Sequence, residues 1–165
     1  MNRQLKMKDH LFLAGAFLIM AIIFYSSSQS YQEQSITPWL QQLLKSKPFS
    51  SFLSQFSFSY GGEIVSLAKS GYFNFVEFFL RKLAHFGVYL LLGVCWTMGL
   101  EKRVRDKWLW LLLAFMLTSG YASFDELRQV FHPGRTGLME DVILDSVGGL
   151  VGIISSYLIS QKILK

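Results

Sequence analysis

Between Ser123 and Gly149 the sequence "SFDELRQVFHPGRTGLMEDVILDSVGG" carries five acidic residues, two arginines and a histidine, yet strongly apolar runs adjoin it. Carboxylates, guanidinium groups and imidazole are the side chains that hold phosphate, move protons or bind oxygen-preferring cations. A second set lies upstream. Arg81, His85 and Tyr89 recur at four-residue spacing with Lys82 beside the first, which puts the three on one face of a helix. Asp125 and Gln129 have the same spacing, with Glu126 next to the first, and so do Asp141 and Asp145. Arg135 sits in "HPGRTG", a turn signal. There is no nucleophile-elbow serine, no Gly-rich phosphate loop and no His-x-x-x-His pair. The single cysteine, Cys95, excludes an intramolecular disulfide and a cysteine-based zinc site. No metal and no cofactor is expected from these patterns, and no residue is assigned a catalytic role.

The elements that position these groups read as membrane helices. The chain has 165 residues, of which 52% are hydrophobic and 16% aromatic, and its mean hydropathy is +0.34. A soluble domain of this size needs fewer apolar residues to fill its core, so lipid is the expected solvent. Four runs are long and continuous enough to be helices rather than alternating barrel strands, at 11–28, 78–100, 108–124 and 142–160. The expected fold is an all-α polytopic membrane helix bundle of about four transmembrane helices, one domain over 1–165. The outer segment 31–77 is expected to add one or two short interfacial helices: "ITPWLQQLLKS" has a helix-period apolar face, and Pro38 suits a first turn. A motif loop spans 125–141. The first run resembles a signal peptide but lacks an Ala-x-Ala cleavage site, so a retained anchor is expected.

The formal net charge of +5 does not imply nucleic acid, because the cations flank apolar runs. With the N-terminus inside, the inner segments hold Arg3, Lys6, Lys8, Lys102, Arg103, Arg105, Lys107, Lys162 and Lys165 against only Asp9, Glu101 and Asp106. That bias predicts both termini on the inner face, with Trp96, Trp108 and Trp110 in an inner aromatic belt.

In this topology three helix ends bring ionisable groups to the outer leaflet. The second run brings Arg81, Lys82 and His85, the third Asp125, Glu126 and Gln129, and the fourth Asp141 and Asp145. Cations at the start of one helix and anions at the end of another oppose the helix dipoles, and mutual pairing relieves both. Charges at membrane depth cost about 2.5–3.5 kcal/mol each on insertion scales, so they face a bundle interior or wet cavity. A polar pocket open to the outer face is expected. Gly148, Gly149 and Gly152 lie near the acidic face of the last run and let a neighbouring helix come close. Plainer roles compete: Arg81 and Lys82 as snorkelling cations, Asp141 as a first-turn acid, His132 as a turn residue.

At these residues the chain resembles the VanZ-like family of small bacterial membrane proteins. The likeness rests on "RKLAHFGVYLLLG" and "DELRQVFHPGRTGLMEDVILDSVGG". These match a pattern of His-Phe-x-x-Tyr, Glu-x-x-Gln-x-Phe, an Arg after a Pro-containing turn, and Asp-x-x-x-Asn/Asp-x-x-Gly. "FYSSSQS" is a looser match. The family is named for an accessory protein of glycopeptide resistance associated with teicoplanin, so the resemblance implies a bacterial cell-envelope protein of the cytoplasmic membrane. Two functions compete. In the first, a non-enzymatic module holds a lipid headgroup, cell-wall precursor or glycopeptide through Arg81, Lys82 and Arg135. In the second, a membrane enzyme acts on a lipid-linked phosphate, with His85 as acid or base and the carboxylates holding a divalent ion. A transporter is disfavoured by the small number of spans. Membrane lipids are the expected partners.

Overall fold

The computed structural model describes residues 3–163, with side-chain surroundings from 9 to 161. The orienting cations Arg3, Lys6, Lys8, Lys162 and Lys165 lie outside the described side chains. The chain is mostly helical. Helix α1 spans Arg3–Ser27, α2 Thr37–Leu43 and α3 Ser50–Leu53. A hairpin of β1 (Ser57–Tyr60) and β2 (Glu63–Ser66) follows, then the single turn α4 (Leu67–Ser70). The long helices α5 (Tyr72–Leu100), α6 (Lys107–Val130) and α7 (Met139–Ile163) complete the bundle.

Among the described residues three helices are long and apolar enough to cross a membrane: Asp9–Ser27 within α1, all of α5, and Met139–Gln161 within α7. Helix α6 has 24 residues, about 36 Å at 1.5 Å per residue. Its polar stretch Thr118–Tyr121 makes it less apolar than the other three, so it does not join them on composition. The helix nonetheless buries a single face, since Trp110, Ala114, Thr118, Ala122 and Glu126 are buried at a spacing of four residues. Its opposite face exposes Leu109, Leu112, Met116, Leu117, Phe124 and Leu127. Asp106 caps its start, accepting from the Leu109 N–H at 2.7 Å.

Helix α5 is the central element, packing on α7, α1 and α6. Contact with α7 is close because glycines face backbone across the seam. A Cβ added at Gly148 would come within 2.5 Å of the Phe86 carbonyl oxygen, and one at Gly152 would overlap the Leu90 carbonyl. Gly93 stands in the same relation to the Gly149 carbonyl. At the opposite end of α5 Lys102 pairs with Asp9 at 3.1 Å, and Arg103 lies 3.0 Å from the His10 ring. Both contacts tie α1 to the end of α5.

Several details depart from the sequence expectation. The outer segment contains a hairpin as well as helices. Gly61 and Gly62 form its two-residue loop, both with positive φ, as a type I′ turn requires. Helix α2 does appear at the expected place, with Pro38 in its first turn. Helix α5 starts at Tyr72 and α6 continues to Val130, so Arg81 and Asp125 lie inside their helices. The helix dipole acts mainly on the terminal turns, so it bears little on either residue. The inner belt reduces to Trp108, which is exposed. Trp96 and Trp110 are buried, and the Trp110 indole N–H donates to the Thr97 carbonyl at 2.7 Å.

Replacing Gly152 or Gly148 by Val should destabilise the bundle by about 1–3 kcal/mol or more, because backbone rather than side chain must yield. Gly87→Ala, at a site with nothing within 4 Å of the added carbon, should not lower the melting temperature in detergent and should raise it slightly, since glycine in a helix interior is less favourable than alanine.

Candidate functional site

The site lies where the first half of α5, the last turns of α6 and the first turns of α7 meet. Four carboxylates are buried there, Asp125, Glu126, Asp141 and Asp145, each at 4% exposure or less. Desolvating a carboxylate is costly unless a counter-charge or donors replace water. Two of the four have a strong cation. Lys82 of α5 reaches Asp141 of α7 at 2.5 Å, and its ammonium also lies 4.6 Å from the Tyr60 ring centroid. The Tyr60 hydroxyl donates to the same Asp141 oxygen at 2.6 Å. Burial and the Asp141 carboxylate raise the Tyr60 phenol above its usual range, which keeps it a donor. Arg128 pairs with Asp125 at 3.1 Å along α6. Asp125 also accepts from the Ser27 hydroxyl at 2.5 Å, and Arg128 stacks 4.2 Å from the Phe24 ring, so α1 is fastened here as well.

The other two carboxylates meet a histidine. His85 Nδ1 lies 3.4 Å from Asp145 Oδ2. Gln129 bridges neighbours on its own helix, donating to Asp125 at 3.0 Å and to Glu126 at 3.1 Å. The Leu138 backbone N–H donates to the second Glu126 oxygen at 2.9 Å, which ties α6 to the linker before α7. The second Asp145 oxygen and the Tyr89 hydroxyl are buried without a hydrogen-bond partner.

A second layer of cations lies above these. Arg81 binds Glu77, one turn back on α5, at 2.6 Å. This corrects the expectation that it meets the acids of the other helices: Glu77 is nearer, on the same face, and needs no cross-helix reach. Glu77 also accepts from the Ser35 hydroxyl, the Ile36 N–H and the Thr37 hydroxyl, anchoring the start of α2. Arg135 donates to the Gln29 carbonyl, the Ser26 carbonyl and the Gln34 side chain. Gln34 accepts from Arg81 too, and the Tyr31 ring lies 5.5 Å from the Arg81 guanidinium and 4.5 Å from that of Arg135. Among the described residues Arg135 has no carboxylate partner.

Two hollows adjoin the layers. The smaller, about 120 Å³, has an apolar side made by Ile22, Ile23, Ala84 and Val88. Its polar side carries Ser26, Ser27, Gln34, His85, Tyr89, Asp125 and Arg135. The larger, about 520 Å³, lies between the hairpin and α5, with Tyr31, Tyr60, Glu77, Arg81 and Lys82 in its wall.

Of the residues singled out in the sequence, Lys82, His85, Asp141 and Asp145 come together across the α5–α7 seam. Asp125, Glu126 and Gln129 join them from α6, and Arg135 stands apart with Arg81. Among the described residues the His132 ring hydrogen-bonds to the neighbouring Pro133 carbonyl, away from the carboxylate cluster. Sequence reasoning missed Glu77, Tyr60, Ser27, Gln34 and Arg128 as members. Glu77 could have been found from its spacing to Arg81, and Arg128 from its spacing to Asp125. Ser27 and Gln34 lie in or beside "FYSSSQS". Nothing local marks Tyr60, because the hairpin brings it in.

A helical chain with three membrane-grade helices around a buried, charge-paired centre defines a membrane protein. It belongs to the VanZ/LLP1 family, whose model matches residues 12–160. No curated protein and no solved structure matches it.

Breaking the buried Lys82–Asp141 pair from one side should be costly. Lys82→Met or Asp141→Leu alone should lower stability by about 3–5 kcal/mol, since each leaves an uncompensated charge. The double variant should recover most of that loss. Additive losses in a thermal-unfolding double-mutant cycle would mean that the two groups do not depend on each other.

Proposed function

We propose that the protein is a four-span module of the bacterial cytoplasmic membrane that binds an anionic, lipid-linked or cell-wall-derived ligand at the outer leaflet. The fourth span is α6, whose unburied face is apolar over most of its length. With four spans both termini lie on the inner side, as the cation bias favours. Reporter fusions at Arg105, just before α6, and at Gly134, just after it, should then report opposite sides. Fusions reporting the same side would remove α6 as a span.

The observation that carries the binding reading is Arg135. It is held by neutral acceptors, stands beside Arg81, and lines a hollow that is apolar on one side and polar on the other. Guanidinium groups without carboxylates suit phosphate or carboxylate ligands. At about 120 Å³ the inner hollow is below the 300–1,000 Å³ of a typical small-molecule site, whereas the outer cleft at about 520 Å³ falls within it. An anionic group at the arginines, a sugar or peptide headgroup in the outer cleft, and an acyl or prenyl chain leaving along Ile22, Ile23 and Val88 fits both. This is the role a glycopeptide-resistance relative would need, so susceptibility to envelope antibiotics, teicoplanin among them, should change on deletion or overexpression.

Native mass spectrometry with added polyprenyl phosphate and phosphatidylglycerol provides the direct test. Arg135→Gln should weaken retention of the anionic ligand by roughly tenfold or more, as loss of a charged hydrogen bond of about 1.5–3 kcal/mol implies. Equal retention by both proteins would refute the arginine site. One observation favours the competing reading of an enzyme on a lipid-linked phosphate: His85 against Asp145 is a pairing that can move a proton. Phosphate release from polyprenyl phosphate or pyrophosphate, abolished by His85→Gln, would select that reading over simple binding.

A further inference from the structure

The four buried carboxylates are unevenly matched. Asp125 has Arg128 and Asp141 has Lys82, but Glu126 and Asp145 have no lysine or arginine within ion-pair distance among the described residues. What they share is His85. One ring nitrogen of His85 and one oxygen from each carboxylate lie within 4.8 Å of one another. Two carboxylates and one imidazole therefore converge where charge is least compensated, and water is largely excluded from both acids.

A second observation is independent of that clustering. Asp145 is 1% exposed, and its Oδ1 has no hydrogen-bond partner. The Tyr89 hydroxyl, one turn along α5 from His85, is also buried and unpartnered. Buried polar atoms are rarely left unmatched, and such atoms point to a missing water or ion. A neutral water would satisfy hydrogen bonds alone, whereas a divalent cation would also take the three converging donor atoms as ligands.

We infer that His85, Glu126 and Asp145 form a binding site for a divalent transition-type cation such as zinc or manganese. The donor set is one nitrogen and carboxylate oxygens, which suits those ions. Magnesium and calcium prefer all-oxygen shells with several waters or carbonyls. The second shell is in place: Gln129 and the Leu138 N–H hold the two oxygens of Glu126, as outer partners do for metal-ligating groups. Metal–ligand bonds of about 2.0–2.2 Å would draw the three donor atoms to roughly 3.0–3.5 Å apart. Three protein ligands leave at least one coordination position open, and one of the three, His85, also lines the small hollow. The cation site does not depend on the proposed anion binding and stands or falls by itself.

The test uses the full-length protein in mild detergent, stripped with chelator and titrated with zinc, manganese or magnesium. Elemental analysis after desalting and the melting temperature are the readouts. One equivalent of zinc or manganese per chain is expected, with a melting temperature that rises with metal concentration, and magnesium binding should be roughly tenfold or more weaker. Glu126→Gln, Asp145→Asn and His85→Gln should each lower affinity by roughly tenfold or more. Arg135→Gln should bind metal like the parent while losing the anionic lipid, which separates failure of the two readings. If Asp145→Asn does not fold by circular dichroism, Glu126→Gln, whose shape is nearly unchanged, decides. A folded, stripped parent protein that takes up neither zinc nor manganese would overturn the site, and so would uptake that survives all three substitutions.

Discussion

Pairing between α5 and α7 is the constraint on which the polar half of the bundle depends. Asp141 and Asp145 sit on the first turns of α7, and neither can face lipid without a large penalty. They turn inward onto Lys82 and His85, which stand on the matching face of α5. That fixes the rotation of α7 about its own axis. The same rotation presents Gly148 and Gly152 to the backbone of α5 one and two turns further in. Charge pairing at the outer end and close backbone approach below it therefore demand the same helix register. A slip of one residue would lose both.

The glycine seam also controls how short the ion pairs can be. Lysine reaches farther than histidine, and His85 and Asp145 meet only because the backbones run nearly in contact at Phe86 and Gly148. Larger residues in the seam would push the helices apart. Lys82 would follow on its flexible stem, but the His85–Asp145 contact, already at 3.4 Å, would open. Packing thus sets the chemistry: the shorter side chain makes the geometry-dependent contact, and it lies nearest the glycines.

Much of this was legible in the sequence, for a physical reason. Helix spacing places residues four apart on one face, so the gathering of the cations of α5 with the acids of α6 and α7 followed from topology and cost, but not which cation takes which acid. The polar members of α6 followed too, once the helix was allowed past Phe124. What was not legible depends on contacts between distant segments. Glu77 looked like an ordinary residue of an aromatic lead-in, because its partners Ser35, Ile36 and Thr37 lie some forty residues earlier. The hairpin was hidden because its strands are only four residues each and aromatic-serine alternation resembles an interfacial helix. Its Gly61-Gly62 loop was the available signal. Arg81 was misjudged because the start of α5 was placed too late, which made a mid-helix residue look terminal.

The outer segment does more than cover the site. Tyr60 of the hairpin donates to Asp141, the Gly61 N–H donates to Glu140 at 3.0 Å, and Glu77 binds the start of α2. Arg81 and Arg135 both hold the strand around Tyr31 and Gln34. Each of these contacts consumes a polar group of the site's rim, so the route from directly above is crossed by hydrogen bonds. The side between α1 and α5 is different. There the small hollow is bounded by Ile22, Ile23, Ala84 and Val88, and no polar contact spans it at those residues. Opening that side costs apolar contact alone, which lipid chains would replace at little net expense. A ligand with an apolar chain and an anionic head is therefore better served by entry from the bilayer than from the aqueous face. In the proposed function Arg135 would meet its head where the chain can remain in hydrocarbon.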